Sequence, residues 1–201
     1  MTLGYRHFEH LLLTHCTPTL IKRKLGSMFH IEDRYSDIQD LVEYYDQLLE
    51  LQGLKIKLFY THGRYTVYVY LPSSLKFLLQ DKDIQSFLKT YHYPDHNILD
   101  HLDKRLHMDQ YPHEIGVFLG YPLADVWGFI HHKQCQCCGY WKVYEKKREK
   151  ECLFKQYDCC KKEFILLYER GYSLSQILNE ADTSAFFFWF KSIIIHTRCR
   201  R

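Results

Sequence analysis

The sequence predicts an α+β fold: a mainly helical single domain over residues 1–180 with a small antiparallel β-hairpin or sheet element. Three observations carry that expectation. Ile38, Leu41, Val42, Tyr45, Leu48 and Leu49 recur at the spacing of one helix face. From Leu54 to Leu71 the period changes to two on either side of Thr61-His62-Gly63-Arg64, the pattern of paired strands around a glycine turn. The 201 residues, 46% of them hydrophobic, are enough for one sizeable core, and no repeat, low-complexity run or linker divides them.

Each element follows from local pattern. Phe8, Leu11, Leu12 and His15 make 5–25 helical, with a break at Pro18, where Thr17 would cap a second helix and Pro18 would open it. The helix over 38–52 closes on Gly53 as its C-cap. In the hairpin, Leu54, Ile56, Leu58 and Tyr60 alternate with Lys55, Lys57 and Phe59, and Tyr65, Val67 and Val69 with Thr66, Tyr68 and Tyr70. Pro72 ends it. A lone hairpin is marginal in water, so it must pack on helices. Residues 73–110 read as two or three short helices on Leu75/Leu78/Leu79, Ile84/Phe87/Leu88 and Ile98/Leu99/Leu102/Leu106. Residues 112–132 read as two helical pieces broken near Gly120 and Pro122. "GYWKVY" at 139–144 is extended, with Trp141 and Val143 on one side and Tyr140, Lys142 and Tyr144 on the other. A helix over 145–170 stops at Gly171, and Ser173 caps the short "SLSQILNEA".

Composition excludes some functions. Against 27 basic residues stand 24 acidic ones, a net charge of +3, too balanced for a nucleic-acid or anionic-membrane partner. The opening "MTLGYRHFEHLLLTHCTP" scatters charge through its apolar stretch, unlike a secretory signal, and no run reaches the roughly 20 apolar residues of a membrane helix. A cytoplasmic location with no transmembrane segment is the expectation. There, eight cysteines are read as free thiols, metal ligands or redox groups before disulfides.

The motifs, in order, are "CTPTL" at 16–20, the hairpin, "LDKRL" at 102–106, "PHEIGVFLGYPLADVWGFI" at 112–130, "CCGYWKVY" at 137–144, and "FKQYDCC" leading to "ERGYSLSQIL". Over roughly residues 10–178 they resemble an uncharacterised bacterial family, mostly clostridial, known as a domain of unknown function, DUF3793. The resemblance implies membership and no activity. It singles out Cys16, Cys138 and Cys160 as thiols inside family-like motifs.

Three chemistries are open. The first is small-ligand or cofactor binding at the 112–122 and 137–144 segments, through Glu114, Gly116, Gly120, Tyr121, Trp141 and Lys142, with Cys16 on the lining and the cofactor, if any, unidentified. Gly116 and Gly120 lie four apart, so on one helix they leave a bare stripe that a flat ligand or another backbone would fill. Lys142, outward between tyrosines, would meet an anionic group. The second is a thiol-dependent enzyme or redox partner, with Cys16 or Cys138 as nucleophile, His113 as base and Glu114 orienting it. It requires Cys16, His113 and Cys138 to converge. The third is a metal centre on Cys135 and Cys138, completed by His131 or His132. Only one C-x-x-C knuckle is present, so no complete four-ligand site is expected. "PHEIG" is not the His-Glu-x-x-His zinc motif, because Val117 stands where the second histidine would be.

The tail, 181–201, is apolar and aromatic from Ala185 to Ile195 and then basic, outside the family-like region. As a helix that apolar run spans about 16 Å against about 30 Å of hydrocarbon, too short to cross. It is expected to complete the core, with a second chain or a membrane surface as alternative partners.

Overall fold

The computed structural model describes residues 1–182. Its elements run α1 (Tyr5–Leu20), β1 (Gly26–Glu32), α2 (Ile38–Glu50), β2 (Lys55–Thr61), β3 (Arg64–Tyr70), α3 (Pro72–Leu78), α4 (Lys82–Lys89), α5 (Ile98–Leu106), α6 (Ile115–Phe118), α7 (Leu123–Ile130), β4 (Cys137–Cys138), β5 (Lys142–Val143), α8 (Lys147–Glu169) and α9 (Leu174–Asp182). The expected α+β class is therefore observed. The expectation that the tail completes the core falls, from residue 183 on, outside the described residues.

Three antiparallel strands form the main sheet in the order β1-β3-β2. The hairpin turns through His62 and Gly63, both at positive φ (51° and 73°), the geometry of a two-residue primed turn. The register sets Phe29, Val67 and Leu58 side by side, and Met28, Tyr68 and Lys57 side by side. Side chains alternate across the sheet, so these two rows face opposite ways.

Both faces are covered. Phe29, Ile31, Ile56, Val67 and Val69 join a core made with α1, α2, the second half of α8 and α9. Phe59 and Tyr68 join a separate core made with α3 to α7. The sheet is thus a middle layer between two helical layers. This explains why the alternating residues of β3 are apolar or aromatic on both sides, since a sheet with one wet face shows polar residues there.

β1 was not legible in advance. Its alternation covers only Phe29 and Ile31 against His30 and Glu32, and its partner β3 lies almost forty positions away in the chain (Phe29 opposite Val67). Pro18 also departs from expectation. It does not open a second helix but sits in the last turn of α1, which ends at Leu20. So close to the end, the missing N–H affects only the final turn, and Thr17 Oγ1 donates back to the Leu13 carbonyl at 2.5 Å.

α6 is a single turn held against the sheet. The buried Tyr68 hydroxyl donates to the Phe118 carbonyl at 2.7 Å. Gly120 lies beyond this turn with φ of 74°, and a Cβ there would come 2.7 Å from Leu25 Cβ. Gly116 and Gly120 therefore do not form one helical stripe, contrary to the sequence expectation. The left-handed backbone at Gly120 turns the chain from α6 toward α7. The small β4–β5 hairpin packs on the first half of α8 through Trp141, Val143, Phe154 and Tyr157. Trp141 and Val143 are buried and Lys142 is exposed, as the alternation requires.

Candidate functional site

A groove opens where α6, α7 and the β4–β5 hairpin meet, with a volume of about 350 Å³. Its walls are mostly apolar. Ile115, Gly116 and Leu119 come from the first turn, Val126 and Phe129 from α7, and Trp141 from the hairpin. Gly116 is closely packed by two of the wall's side chains: a Cβ there would lie 2.8 Å from Val126 Cγ2 and 3.0 Å from Tyr121 Cδ2.

The aromatic wall is positioned from behind by one carboxylate. Asp125 is buried inside α7, and its Oδ2 accepts from Trp141 Nε1 at 2.7 Å. Its Oδ1 accepts from the backbone N–H of Tyr144 at 2.7 Å and of Glu145 at 3.2 Å. Trp141 then stacks on Tyr121 (4.9 Å between centroids, 25° between planes) and meets Phe154 edge to face. The Tyr121 hydroxyl donates to the Tyr140 carbonyl at 3.2 Å, and burial pushes its pKa up to about 12, so it stays neutral. Asp125→Asn keeps the shape but turns one acceptor into a donor facing a donor. It should cost about 1–3 kcal/mol and shift Trp141 emission to the red as the indole loosens. Unchanged emission and an unchanged denaturation midpoint would count against this role for Asp125.

The rim is polar. Lys142 Nζ lies 5.2 Å from the Phe129 ring centroid, and His113 meets the same ring edge-on at 4.9 Å. Tyr111 and His113 border the groove and also a second, smaller cavity of about 220 Å³. This second chamber is lined by Glu114, Arg105 and Tyr91, among others. Glu114 is fully buried, and its Oε1 accepts from Arg105 Nε at 2.7 Å and from the Tyr93 hydroxyl at 3.3 Å. Glu114, expected from the sequence to bind a ligand or to orient His113, is thus held in an ion pair.

The structure brings together His113, Gly116, Tyr121, Trp141 and Lys142 around the groove. Glu114 lies in the adjacent chamber, and Gly120 is packed on Leu25 instead of on the groove. Sequence reasoning missed Asp125, Phe129 and Tyr111. Asp125 had a signal: a lone carboxylate within the apolar "LADVWGFI" demands a buried donor.

The thiols are placed elsewhere. Cys16 is fully buried in the core of α1 and the sheet, and burial pushes its thiol far up, with Lys24 opposing. Neither Cys16 nor Cys138 lines the groove that His113 borders. Cys135 and Cys138 approach each other to 3.9 Å between sulfurs on the outside of the hairpin. That contact, then burial, pushes the Cys138 thiol up. His131 stacks on Trp127 at 4.9 Å. Among the described residues, no three His, Cys, Asp or Glu side chains gather where one metal ion could bind them. No helix among these residues is long and apolar enough to cross a membrane.

A family model described as "Protein of unknown function (DUF3793)" matches residues 12–178, most of the chain and all of the groove. No curated protein and no solved structure is similar to it.

Proposed function

The chain belongs to the DUF3793 family of proteins of unknown function, and from that premise we propose that it binds a small, flat, largely apolar ligand bearing an anionic group in the groove beside α6. The observation that carries this reading is Trp141: its indole N–H is satisfied by buried Asp125 while the ring lines an open cavity. A pre-set aromatic wall, apolar lining and a few convergent polar groups are what small-molecule sites share. Lys142 on the rim gives the anion its partner. Thiol chemistry as an alternative draws support only from the approach of Cys135 to Cys138, and none from buried Cys16.

Anilinonaphthalene sulfonate, flat and anionic, is a direct probe. Its fluorescence should rise on binding, and Lys142→Glu should weaken it by roughly tenfold, because a rim charge that attracts becomes one that repels. Gly116→Leu should abolish binding by forcing Val126 and Tyr121 into the groove, at a cost of about 1–3 kcal/mol in stability from overpacking. Dye binding indifferent to both substitutions would remove the groove from consideration.

A further inference from the structure

The second chamber holds a polar atom that the fold leaves unanswered. Glu114 Oε2 is buried without a hydrogen-bond partner among the described residues, although Oε1 of the same carboxylate has two. A buried acceptor left unpaired is costly, and such atoms in native proteins call for a reason. Glu114 is among the residues around a cavity, together with Arg105, whose guanidinium neutralises its carboxylate.

We propose that this chamber is a subsite for an uncharged group that offers a donor and an acceptor side by side, such as a carboxamide, a ureide or the edge of a heterocyclic base. The donor N–H would meet Glu114 Oε2, and the carbonyl would meet Arg105. Charge selects the class. Glu114 and Arg105 already cancel, so a cation would face Arg105 and an anion would face Glu114, each unfavourably at short range. A neutral amide satisfies both groups and disturbs neither. Chamber and groove share Tyr111 and His113, so one molecule can place its ring against Trp141 and its amide against Glu114 by passing this rim. Tyr111 is 45% exposed and can swing aside into solvent. This inference rests on the groove reading and adds the chemistry of the ligand's far end.

The test uses naphthalene sulfonates whose far ring carries a carboxamide, a carboxylate or a methyl group, titrated calorimetrically into the full chain. The sulfonate serves Lys142 in all three. The carboxamide should bind roughly tenfold tighter than either of the others, the worth of well-made hydrogen bonds in a buried site. Glu114→Gln should reverse the order in favour of the carboxylate, because the glutamine NH2 then donates where Oε2 accepted and Arg105 loses its counter-charge. Gln110→Trp, at the chamber's edge and outside the ion pair, should bring the carboxamide down to the methyl compound. Binding of all three within about twofold, with no response to either substitution, would overturn the chamber while leaving the groove intact. Failure of all three to bind would overturn the groove reading and this one with it.

Discussion

Arg105→Met is expected to cost about 3–5 kcal/mol of stability, the largest loss from any single change around the site. The argument rests on asymmetry. Glu114 has no exposed surface, whereas the Arg105 side chain is 22% exposed. Removing Arg105 leaves a carboxylate buried, with the Tyr93 hydroxyl as its only hydrogen-bond donor among the described residues. Removing Glu114 leaves a guanidinium that can turn outward and rehydrate. Glu114→Met should therefore cost clearly less than Arg105→Met, and the double substitution should recover most of the larger loss, since an apolar pair leaves no buried charge. Urea denaturation of the three variants checks this. An Arg105→Met variant no less stable than Glu114→Met would refute the account of the ion pair.

Lys24→Met is expected to stabilise the protein by about 1–4 kcal/mol at neutral pH, an unusual direction for a core substitution. Lys24 is only 7% exposed. Its ammonium donates to the Gly26 carbonyl and lies 5.1 Å from the Tyr121 ring centroid, with no carboxylate among the described residues to pair it. Desolvation lowers its pKa from 10.5 to about 7, opposed in part by Cys16. Between those two values the unfolded chain holds more protons than the folded one, so stability rises with pH across that window. Below pH 7 both states are charged and the penalty is complete. Cys16, whose thiol burial keeps protonated, reverses the slope above its ordinary value of 9.0. The lysine's signature is therefore a denaturation midpoint that climbs from pH 7 to about 9 in the wild type and stays flat in Lys24→Met. A climb that survives the substitution would assign it to another group.

Nothing in the sequence marks Lys24 as buried. It stands in "IKRKLGS", one of three consecutive basic residues at the end of the stretch expected to be helical, and such a run is ordinarily solvated. It is buried because α1 must end and β1 must begin within a few residues, beneath the segment that follows α6, where Tyr121 lies over it. The ion pair of Glu114 was equally hidden. Arg105 belongs to α5 and Glu114 to the start of α6, and each looked like an ordinary charge near a helix end.

Elements of one period were legible without coordinates. α2, the β2–β3 hairpin, the split between α6 and α7, and the inward set Trp141 and Val143 all follow from the spacing of side chains along a few turns or pleats. So did the aromatic and basic members of the groove, because Tyr121, Trp141 and Lys142 sit in short motifs with their own geometry. What only folding decided is everything that depends on partners distant in the chain. β1 joined the sheet through β3, Gly120 met Leu25, Asp125 gathered the donors of the hairpin, and Cys16 was sealed into a core away from the groove. The reason is physical. Periodicity records which side of an element must avoid water, but not which other element will supply the covering, and hydrogen-bond partners and burial are properties of that second surface.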